Sequence, residues 1–222
     1  MQIPVVRKIL ETNELTALDL QQGFQEQGIL VLNLISSPGA GKTTLLVRTL
    51  SDLAQELNMA VIEGDLQTSN DAEKIAATGA RVLQINTQGA CHLEGSMIGQ
   101  ALQQMDLADV DVLFIENVGN LVCPAEFKLG EDYKIALLSV PEGDDKPEKY
   151  PVLFAESSLL LLNKIDLMPY LEFDTQRASN AARAVNQALE VIQISAQTGE
   201  GLQQWYDWLR RKMQEKRQIR KE

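Results

Sequence analysis

Apolar residues recur along this chain in two alternating patterns. Short continuous apolar runs, of which residues 29–35 form the first, predict strands that are buried on both faces. Other stretches place apolar side chains three or four residues apart, as in the segment after Lys42, and this spacing predicts helices with one face on a core. The alternation predicts an α/β fold, with a doubly wound, mostly parallel sheet and helices on both faces.

The same patterns predict the other elements. Further strands are expected at residues 59–63, 82–86, 111–116, 133–140, 158–163 and 191–195, and helices near residues 71–78, 95–105, 175–189 and 201–214. Residues 142–151 are charged and contain proline, which predicts an exposed loop. Residues 5–27 are rich in helix formers, so we divide the chain into an N-terminal helical extension, 1–28, and a second domain, 29–222.

Composition limits the class of protein. The 222 residues suit one domain with small additions, and no apolar run approaches the roughly 20 residues of a membrane span. The start of the chain lacks the pattern of a secretion signal, so we expect a soluble, cytoplasmic protein with no membrane partner. A net charge of -11 argues against a general nucleic-acid-binding protein, which needs cations to replace those condensed on phosphate.

A basic segment at the C-terminal end is the local exception to this acidic charge. Residues 210–222 contain seven cations and two carboxylates. Such a run could mark a docking or RNA-binding tail, but the plainer interpretation of a frayed, solvated helix end is preferred.

A glycine-rich segment follows the first predicted strand. Its expected phosphate-binding residues are Gly39, Ala40, Gly41, Lys42, Thr43 and Thr44. Glycines let backbone N–H groups curl around phosphate oxygens at a helix N-terminus, a lysine neutralises the β and γ oxygens, and a hydroxyl binds Mg²⁺. Lys42 and Thr43 take the last two roles, although Ser36 replaces the first glycine of the strict pattern. The fold class is therefore a P-loop NTPase.

A second segment predicts which base is bound. Asn163, Lys164 and Asp166 end an apolar strand, at the sheet edge where open α/β sheets bind ligands. The Asp166 carboxylate can accept from the guanine N1–H and the exocyclic amine, a pair of donors that adenine lacks. Ser195 and Ala196 stand about thirty residues on and resemble the loop by which GTPases contact the guanine oxygen. GTP is therefore preferred over ATP.

Residues for Mg²⁺ and hydrolysis are expected between these motifs. Glu116 ends a Walker B-like strand and, with Asp65 and Thr43, is assigned to the Mg²⁺ shell, while Gly119 is placed to sense the γ-phosphate. Asp71 either positions the attacking water or caps the following helix. Lys42, Asp71 and Gly119 form the catalytic set, and slow intrinsic hydrolysis is expected because no arginine lies in the two switch segments.

The chain contains two cysteines and one histidine. Cys91 and His92 follow the third predicted strand, and Cys123 follows the fourth, so all three leave the same sheet edge. Two thiolates and an imidazole suit Zn²⁺ or Ni²⁺. Adjacent residues do not easily face one closed cage, and three ligands leave a four-coordinate ion incomplete, so a second chain could complete the site. The alternative is two small buried cysteines and a surface histidine.

These segments resemble a known family. Residues 64–68, 89–93 and above all 116–124, Glu-Asn-Val-Gly-Asn-Leu-Val-Cys-Pro, are similar to the signature stretches of HypB, the hydrogenase nickel incorporation GTPases. The resemblance implies a metallochaperone that delivers nickel to the [NiFe]-hydrogenase large-subunit precursor together with HypA. It also implies a GTP-favoured homodimer with the metal site at its interface. Some members begin with a Cys-x-x-Cys-Gly-Cys or histidine-rich site, which this chain lacks.

Two other functions remain open at this point. The metal could be structural or regulatory zinc in a GTPase that only docks partners. The chain could instead serve urease or a cobalamin enzyme, although a urease GTPase of this class typically carries Cys-Pro-His in one loop, unlike the separate pairs here.

Overall fold

The computed structural model describes residues 5–65 and 69–219. Residues 66–68 of the predicted first switch segment and residues 220–222 of the basic segment lie outside the described residues. None of the helices in the described part is both long and apolar enough to cross a membrane.

Parallel strands form one sheet across the described chain. In order along the sequence they are β1 (Leu30–Ser36), β2 (Met59–Asp65), β3 (Arg81–Asn86), β4 (Val112–Glu116), β5 (Tyr133–Ser139), β6 (Leu159–Asn163) and β7 (Glu190–Gln193). Their order in the sheet is β3-β2-β4-β1-β5-β6-β7, and every neighbouring pair is parallel. The predicted α/β fold class is confirmed, and the sheet is entirely rather than mostly parallel.

Helices cover both faces of this sheet. They are α1 (Val5–Gln27), α2 (Lys42–Asp52), α3 (Asn70–Ala76), α4 (Gly95–Leu102), α5 (Cys123–Glu126), α6 (Lys146–Lys149), α7 (Pro151–Glu156), α8 (Thr175–Val185) and α9 (Leu202–Ile219). On one face, α2, α3 and α9 pack against the even-numbered side chains of β1. On the other, α1 and α4 cover the centre of the sheet and α7 and α8 cover the β5–β6 side. Strands covered on both faces explain the continuous apolar runs.

One loop prediction was wrong in part. Residues 142–151, expected to be an exposed loop, contain α6, which is too short to show a helical period. Pro147 lies in its first turn and is buried, and a proline at this position starts a helix without losing a hydrogen bond. Arg177 of α8 binds Asp144 and Glu148, so ion pairs tie the segment to the domain.

The basic C-terminal segment is also more ordered than a frayed helix end. Helix α9 continues to Ile219, beyond the predicted end near residue 214. Lys216 is buried and lies 2.6 Å from an Asp132 oxygen, while Arg217 lies 2.7 Å from Asp111. The cations Arg210, Arg211 and Lys212 pair with carboxylates as well. The described cations of this segment therefore bind the chain's own acidic groups.

Helix α1 shares the core of the sheet. Phe24 is 2% exposed and packs in one apolar cluster with β1, β2, β4 and α4. Asn13 donates to the Lys128 carbonyl and accepts from the Gly95 N–H. We propose that the predicted helical extension, 1–28, folds together with the domain of residues 29–222 from Val5 onward, since residues 1–4 lie outside the described part of the chain.

Phe24→Ala is expected to test this shared core. It should lower the free energy of unfolding of the whole chain by about 3–5 kcal/mol, because a buried aromatic ring is replaced by a cavity. The measurement is urea unfolding followed by circular dichroism. Leu18→Ala on the same helix is the control, since Leu18 is 58% exposed and should cost no more than about 0.5 kcal/mol. Equal stabilities of the two variants would contradict a shared core.

Candidate nucleotide and metal site

The glycine-rich turn between β1 and α2 requires its glycines. Gly39 and Gly41 have positive φ values of 76° and 103°, which side chains rarely adopt. A Cβ at Gly41 would lie 2.5 Å from Nδ2 of Asn163, so the loop and the end of β6 approach too closely for any larger residue. The turn leads directly into α2, whose first residue is Lys42. Its geometry suits the phosphate-binding role predicted from the sequence.

Ser36 has its own role in this turn. Its hydroxyl accepts from Nζ of Lys42 at 2.9 Å and donates to the Ser37 carbonyl. Burial lowers the pKa of Lys42, opposed chiefly by the charge of Glu116. Ser36 therefore holds the lysine head inside the loop, and a glycine at this position could not do so.

The predicted base-recognition residues meet the phosphate loop. Asn163 donates from Nδ2 to the Ala40 carbonyl at 2.9 Å, and its Oδ1 accepts from the Ala196 N–H at 3.0 Å. Lys164 lies across the loop and donates to the Gly39 carbonyl. Among the described residues, buried Oδ1 of Asp166 has no hydrogen-bond partner, as expected of an acceptor reserved for a ligand. Asn163 thus links the loop after β6 to the phosphate loop and to the loop that carries Ala196.

The site also suits Mg²⁺. Thr43 donates its hydroxyl to Oε1 of Glu116 at 2.8 Å, while the buried Oε2 of that carboxylate lacks a hydrogen-bond partner in the described part of the chain. The charges of four carboxylates, Glu116, Glu142, Asp71 and Glu63, act on Lys42. One lysine cannot balance this negative charge, so a divalent cation held by Thr43 and Glu116 fits the donor set. Asp65 ends β2 nearby.

Glu63 is a site residue that the sequence analysis missed. It lies beside Glu116 in the register of β2 and β4, and only 3% of it is exposed. Burial, followed by the charge of Glu116, raises the pKa of Glu63 to about 8. Burial also raises the pKa of Glu116 to about 7, against the opposing effects of Lys42 and Thr43. The sequence did contain a signal for Glu63: it is a carboxylate in an apolar strand, two residues before Asp65 and therefore on the same face.

The two predicted switch residues contact the site differently. Asp71 lies in the first turn of α3 and pairs with Lys74 at 2.7 Å, and Ser69, not Asp71, is the N-cap residue. The capping alternative for Asp71 was therefore wrong. A Cβ at Gly119 would lie 2.9 Å from Cγ of Pro38 and 3.0 Å from its backbone, so the segment after β4 packs directly on the phosphate loop. Their catalytic roles stay predictions.

Cys91, His92 and Cys123 form one cluster. Their potential ligand atoms all lie within 4.8 Å of one another, with 2.9 Å between the two Sγ atoms and 3.5 Å between Sγ of Cys91 and Nδ1 of His92. The adjacent residues do face one centre, contrary to the difficulty expected from the sequence. Cys91 is exposed rather than a small buried cysteine. Contact with the Cys123 thiol, then burial, raises the pKa of Cys91. A soft divalent cation would reverse this effect.

A buried chain of amides connects the two sites. Asn117, directly after Glu116, accepts at Oδ1 from the Leu93 N–H, next to His92. Its Nδ2 donates to Oδ1 of Asn33 at 3.2 Å, and Asn33 in turn donates to Glu131. Asn33 and Asn117 are 0% and 1% exposed. The end of β4 therefore holds the loop that carries Cys91 and His92. Neither residue was singled out from the sequence, although Asn33 interrupts an otherwise apolar strand.

The same series of polar contacts extends to the segment that carries Cys123. Glu131 lies 3.9 Å from Nζ of the buried Lys134, and Lys134 donates to the carbonyl of Ala125 in α5. Asn120 donates to the carbonyl of Cys91. Hydrogen bonds and one ion pair thus connect both halves of the thiol and imidazole cluster to Asn117, directly after Glu116.

Glu63→Gln is expected to reduce the pH dependence of stability in Mg²⁺-free protein. Folded Glu63 keeps its proton up to about pH 8, whereas in the unfolded chain it ionises near 4.5, so its contribution is lost as pH rises through this window. The fall in Tm between pH 5.5 and pH 8 should be smaller in the variant by roughly 5 °C, the effect of about 1–2 kcal/mol in a domain of this size. Calorimetry measures it, with the exposed Glu126→Gln as control. Identical pH profiles for Glu63→Gln and wild type would contradict the assignment.

Comparison with known proteins agrees with this geometry. Residues 30–193 match the family model of the CobW/HypB/UreG nucleotide-binding domain. Hydrogenase maturation factor HypB of Escherichia coli K12 is 54% identical over 201 residues, which cover 90% of this chain and 69% of that protein. The HypB of Rhizobium leguminosarum bv. viciae is 51% identical over 207 residues, or 93% of this chain and 69% of that protein.

A solved structure carries the comparison to three dimensions. The crystal structure of HypB from Helicobacter pylori in complex with nickel superposes with a TM-score of 0.87 at 37% identity, covering 92% of this chain and 96% of that one. Sequence, fold and site thus agree, and the chain belongs to the HypB family of hydrogenase maturation factors.

Proposed function

We propose that this chain is a GTP-hydrolysing nickel metallochaperone for the maturation of [NiFe]-hydrogenase. The observation that carries the proposal is the cluster of Cys91, His92 and Cys123, tied by the buried amide of Asn117 to the end of β4, where Glu116 binds Thr43. The Asn117 side chain thereby joins the loop of a soft ligand set to the strand end that carries Glu116. The relatives' names, and the nickel in the Helicobacter pylori protein, support the same function.

The nucleotide half of the proposal rests on the loops around Asn163. Gly39, Ala40, Gly41, Lys42, Thr43 and Thr44 would hold the phosphates. Asp166 and the loop that carries Ser195 and Ala196 would recognise guanine, and Thr43, Asp65 and Glu116 would hold Mg²⁺. Bound Mg²⁺ would supply positive charge to the β and γ oxygens. We expect slow hydrolysis, well below the roughly 10 s⁻¹ of a median enzyme.

The proposed switch acts through the contact of Gly119 with the phosphate loop. A γ-phosphate beside Gly119 and Asp71 would fix the segment after β4, and Asn117 and Asn120 would transmit its position to the loop that carries Cys91. Metal affinity would then depend on nucleotide state, and nucleotide affinity on metal, by the same factor.

Nickel is the cargo in this scheme, and a second copy of the chain would complete its ligand shell. Three ligands leave a four-coordinate ion open, and Cys91 is exposed. Val122, next to Cys123, is 53% exposed although it is apolar. A GTP-favoured homodimer across this face accounts for both. We further propose HypA and the [NiFe]-hydrogenase large-subunit precursor as partners, in the cytoplasm.

Titration of Ni²⁺ and Zn²⁺ tests this function. Wild-type affinity should differ by about 5–150-fold between the GDP form and the form with a non-hydrolysable GTP analogue. Cys123→Ala should bind either ion weakly and lose the nucleotide dependence, because it lacks one thiolate. Competition with a chromophoric chelator gives the affinities, and sedimentation gives the oligomeric state.

Glu126→Ala is the matched control, since Glu126 is exposed on the same short helix but is not part of the cluster. It should behave as wild type. Metal affinity and oligomeric state that are identical with the two nucleotides would overturn the switch. Zinc that is retained through the whole cycle, with no nickel transferred, would favour a zinc-dependent docking protein.

Nucleotide choice is tested by Asp166→Asn. The amide presents a donor where the guanine amine also donates, so GTP affinity should fall by on the order of 10²-fold, since hydrogen bonds to charged groups contribute about 1.5–3 kcal/mol each. Xanthosine triphosphate, which has a carbonyl in place of that amine, should bind the variant better than wild type. Fluorescent-nucleotide displacement measures both. Unchanged GTP affinity in the variant would show that Asp166 does not recognise guanine.

A further inference from the structure

The two ring nitrogens of His92 face different groups. Nδ1 lies 3.5 Å from Sγ of Cys91, inside the cluster. Nε2 lies on the opposite side of the ring, 3.6 Å from Oε1 of Glu94. The imidazole packs against Phe127 with 3.9 Å between ring centroids, and the side chain is 16% exposed. The ring is therefore held in one orientation between a thiol and a carboxylate.

Nε2 is also a buried polar atom with no partner within hydrogen-bond distance among the described residues. The Glu94 carboxylate lies just outside that distance. A neutral imidazole has one N–H donor and one lone pair, and a metal takes the lone pair. The other nitrogen of a metal-bound histidine nearly always donates to a carboxylate, carbonyl or water, which fixes the tautomer and makes the ring a better ligand.

Glu94 has no competing local role. It is the N-cap residue of α4, yet its side chain makes no capping hydrogen bond. Within the described ranges, the one group of three or more Asp, Glu, Cys and His residues whose ligand atoms lie close enough for one metal ion is Cys91, His92 and Cys123, which does not include Glu94. Glu94 therefore lies beside the Nε2 edge of the imidazole and is not itself one of the candidate ligands.

We propose that His92 binds the cargo ion through Nδ1 and that Glu94 is a positioning residue, which accepts a hydrogen bond from the Nε2–H. The inference rests on the proposed metal-binding function and adds the binding nitrogen and the carboxylate that selects it. Packing against Phe127 favours this orientation of the ring. Turning the ring by 180° about its Cβ–Cγ bond would instead place Cδ2 toward the Cys91 thiol and Cε1 toward Glu94.

The single histidine of the chain allows a direct test. Tag-free protein labelled with ¹⁵N-histidine gives signals from one imidazole, and Zn²⁺ is a diamagnetic probe of the site. Two-bond ¹H–¹⁵N spectra should show that Zn²⁺ binds Nδ1 while Nε2 keeps its proton. A zinc-bound Nε2 would overturn the proposal.

Two variants test the role of Glu94. Glu94→Ala should lower Zn²⁺ and Ni²⁺ affinity by about 10–100-fold, the usual effect of losing such a partner, and speed exchange of the Nε2 proton. Glu94→Gln keeps an acceptor oxygen and should lose less. Glu126→Gln is the control and should match wild type. Thermal melting and nucleotide affinity identify any variant that fails to fold.

The outcomes separate the two proposals. If wild type binds neither ion, the proposed function fails. If wild type binds but folded Glu94→Ala binds equally well, with unchanged exchange of the Nε2 proton, only the role of Glu94 fails.

Discussion

Two neighbouring residues at the end of β4 hold both sites together. Glu116 accepts from Thr43, the first hydroxyl after the phosphate-loop lysine, and Asn117 binds Leu93 and Asn33. β4 lies between β1 and β2, so its end meets the phosphate loop on one side and the acidic end of β2 on the other. In the buried, low-dielectric setting of these amides, losing one partner leaves a polar group unpaired, which costs about 1–3 kcal/mol. Small movements of this strand end therefore carry an energetic penalty in both sites.

Charge gives the nucleotide site a second constraint. Glu63 and Glu116 lie side by side, and their buried Oε2 atoms find no hydrogen-bond partner in the described part of the chain. Without a cation the pair holds protons near neutral pH, whereas a divalent ion would favour ionisation of both. The pair would suit a bound cation, and the lowered pKa of Lys42 reflects the same burial. The basic residues of α9 cannot relieve this charge because they pair with Asp111, Asp132 and other carboxylates at the opposite end of the sheet.

The sequence predicted those features of the structure that a local pattern of residues determines. Strands buried on both faces appear as apolar runs, and motifs such as residues 39–44 and 163–166 follow strand ends, so their meeting at one edge follows from parallel topology. Glu63 escaped because the sequence placed it only in a strand, residues 59–63, whereas its position beside Glu116 depends on the register of two strands that are far apart in the chain. Asn33 and Asn117 escaped because they bind each other although they are 84 residues apart in the chain, and no sequence periodicity indicates such a pair. α6, at four residues, is shorter than two helical turns.

Gly119 lies against Pro38, where the segment after β4 packs on the phosphate loop. The ring of Pro38 fixes its own φ, so the phosphate loop is stiff at this point. Gly119 has no side chain that could change rotamer to make room. The excluded volume of these atoms sets a steric limit: the segment after β4 can move away from the phosphate loop but cannot come closer. The positions open to this segment are therefore bounded on one side by shape alone.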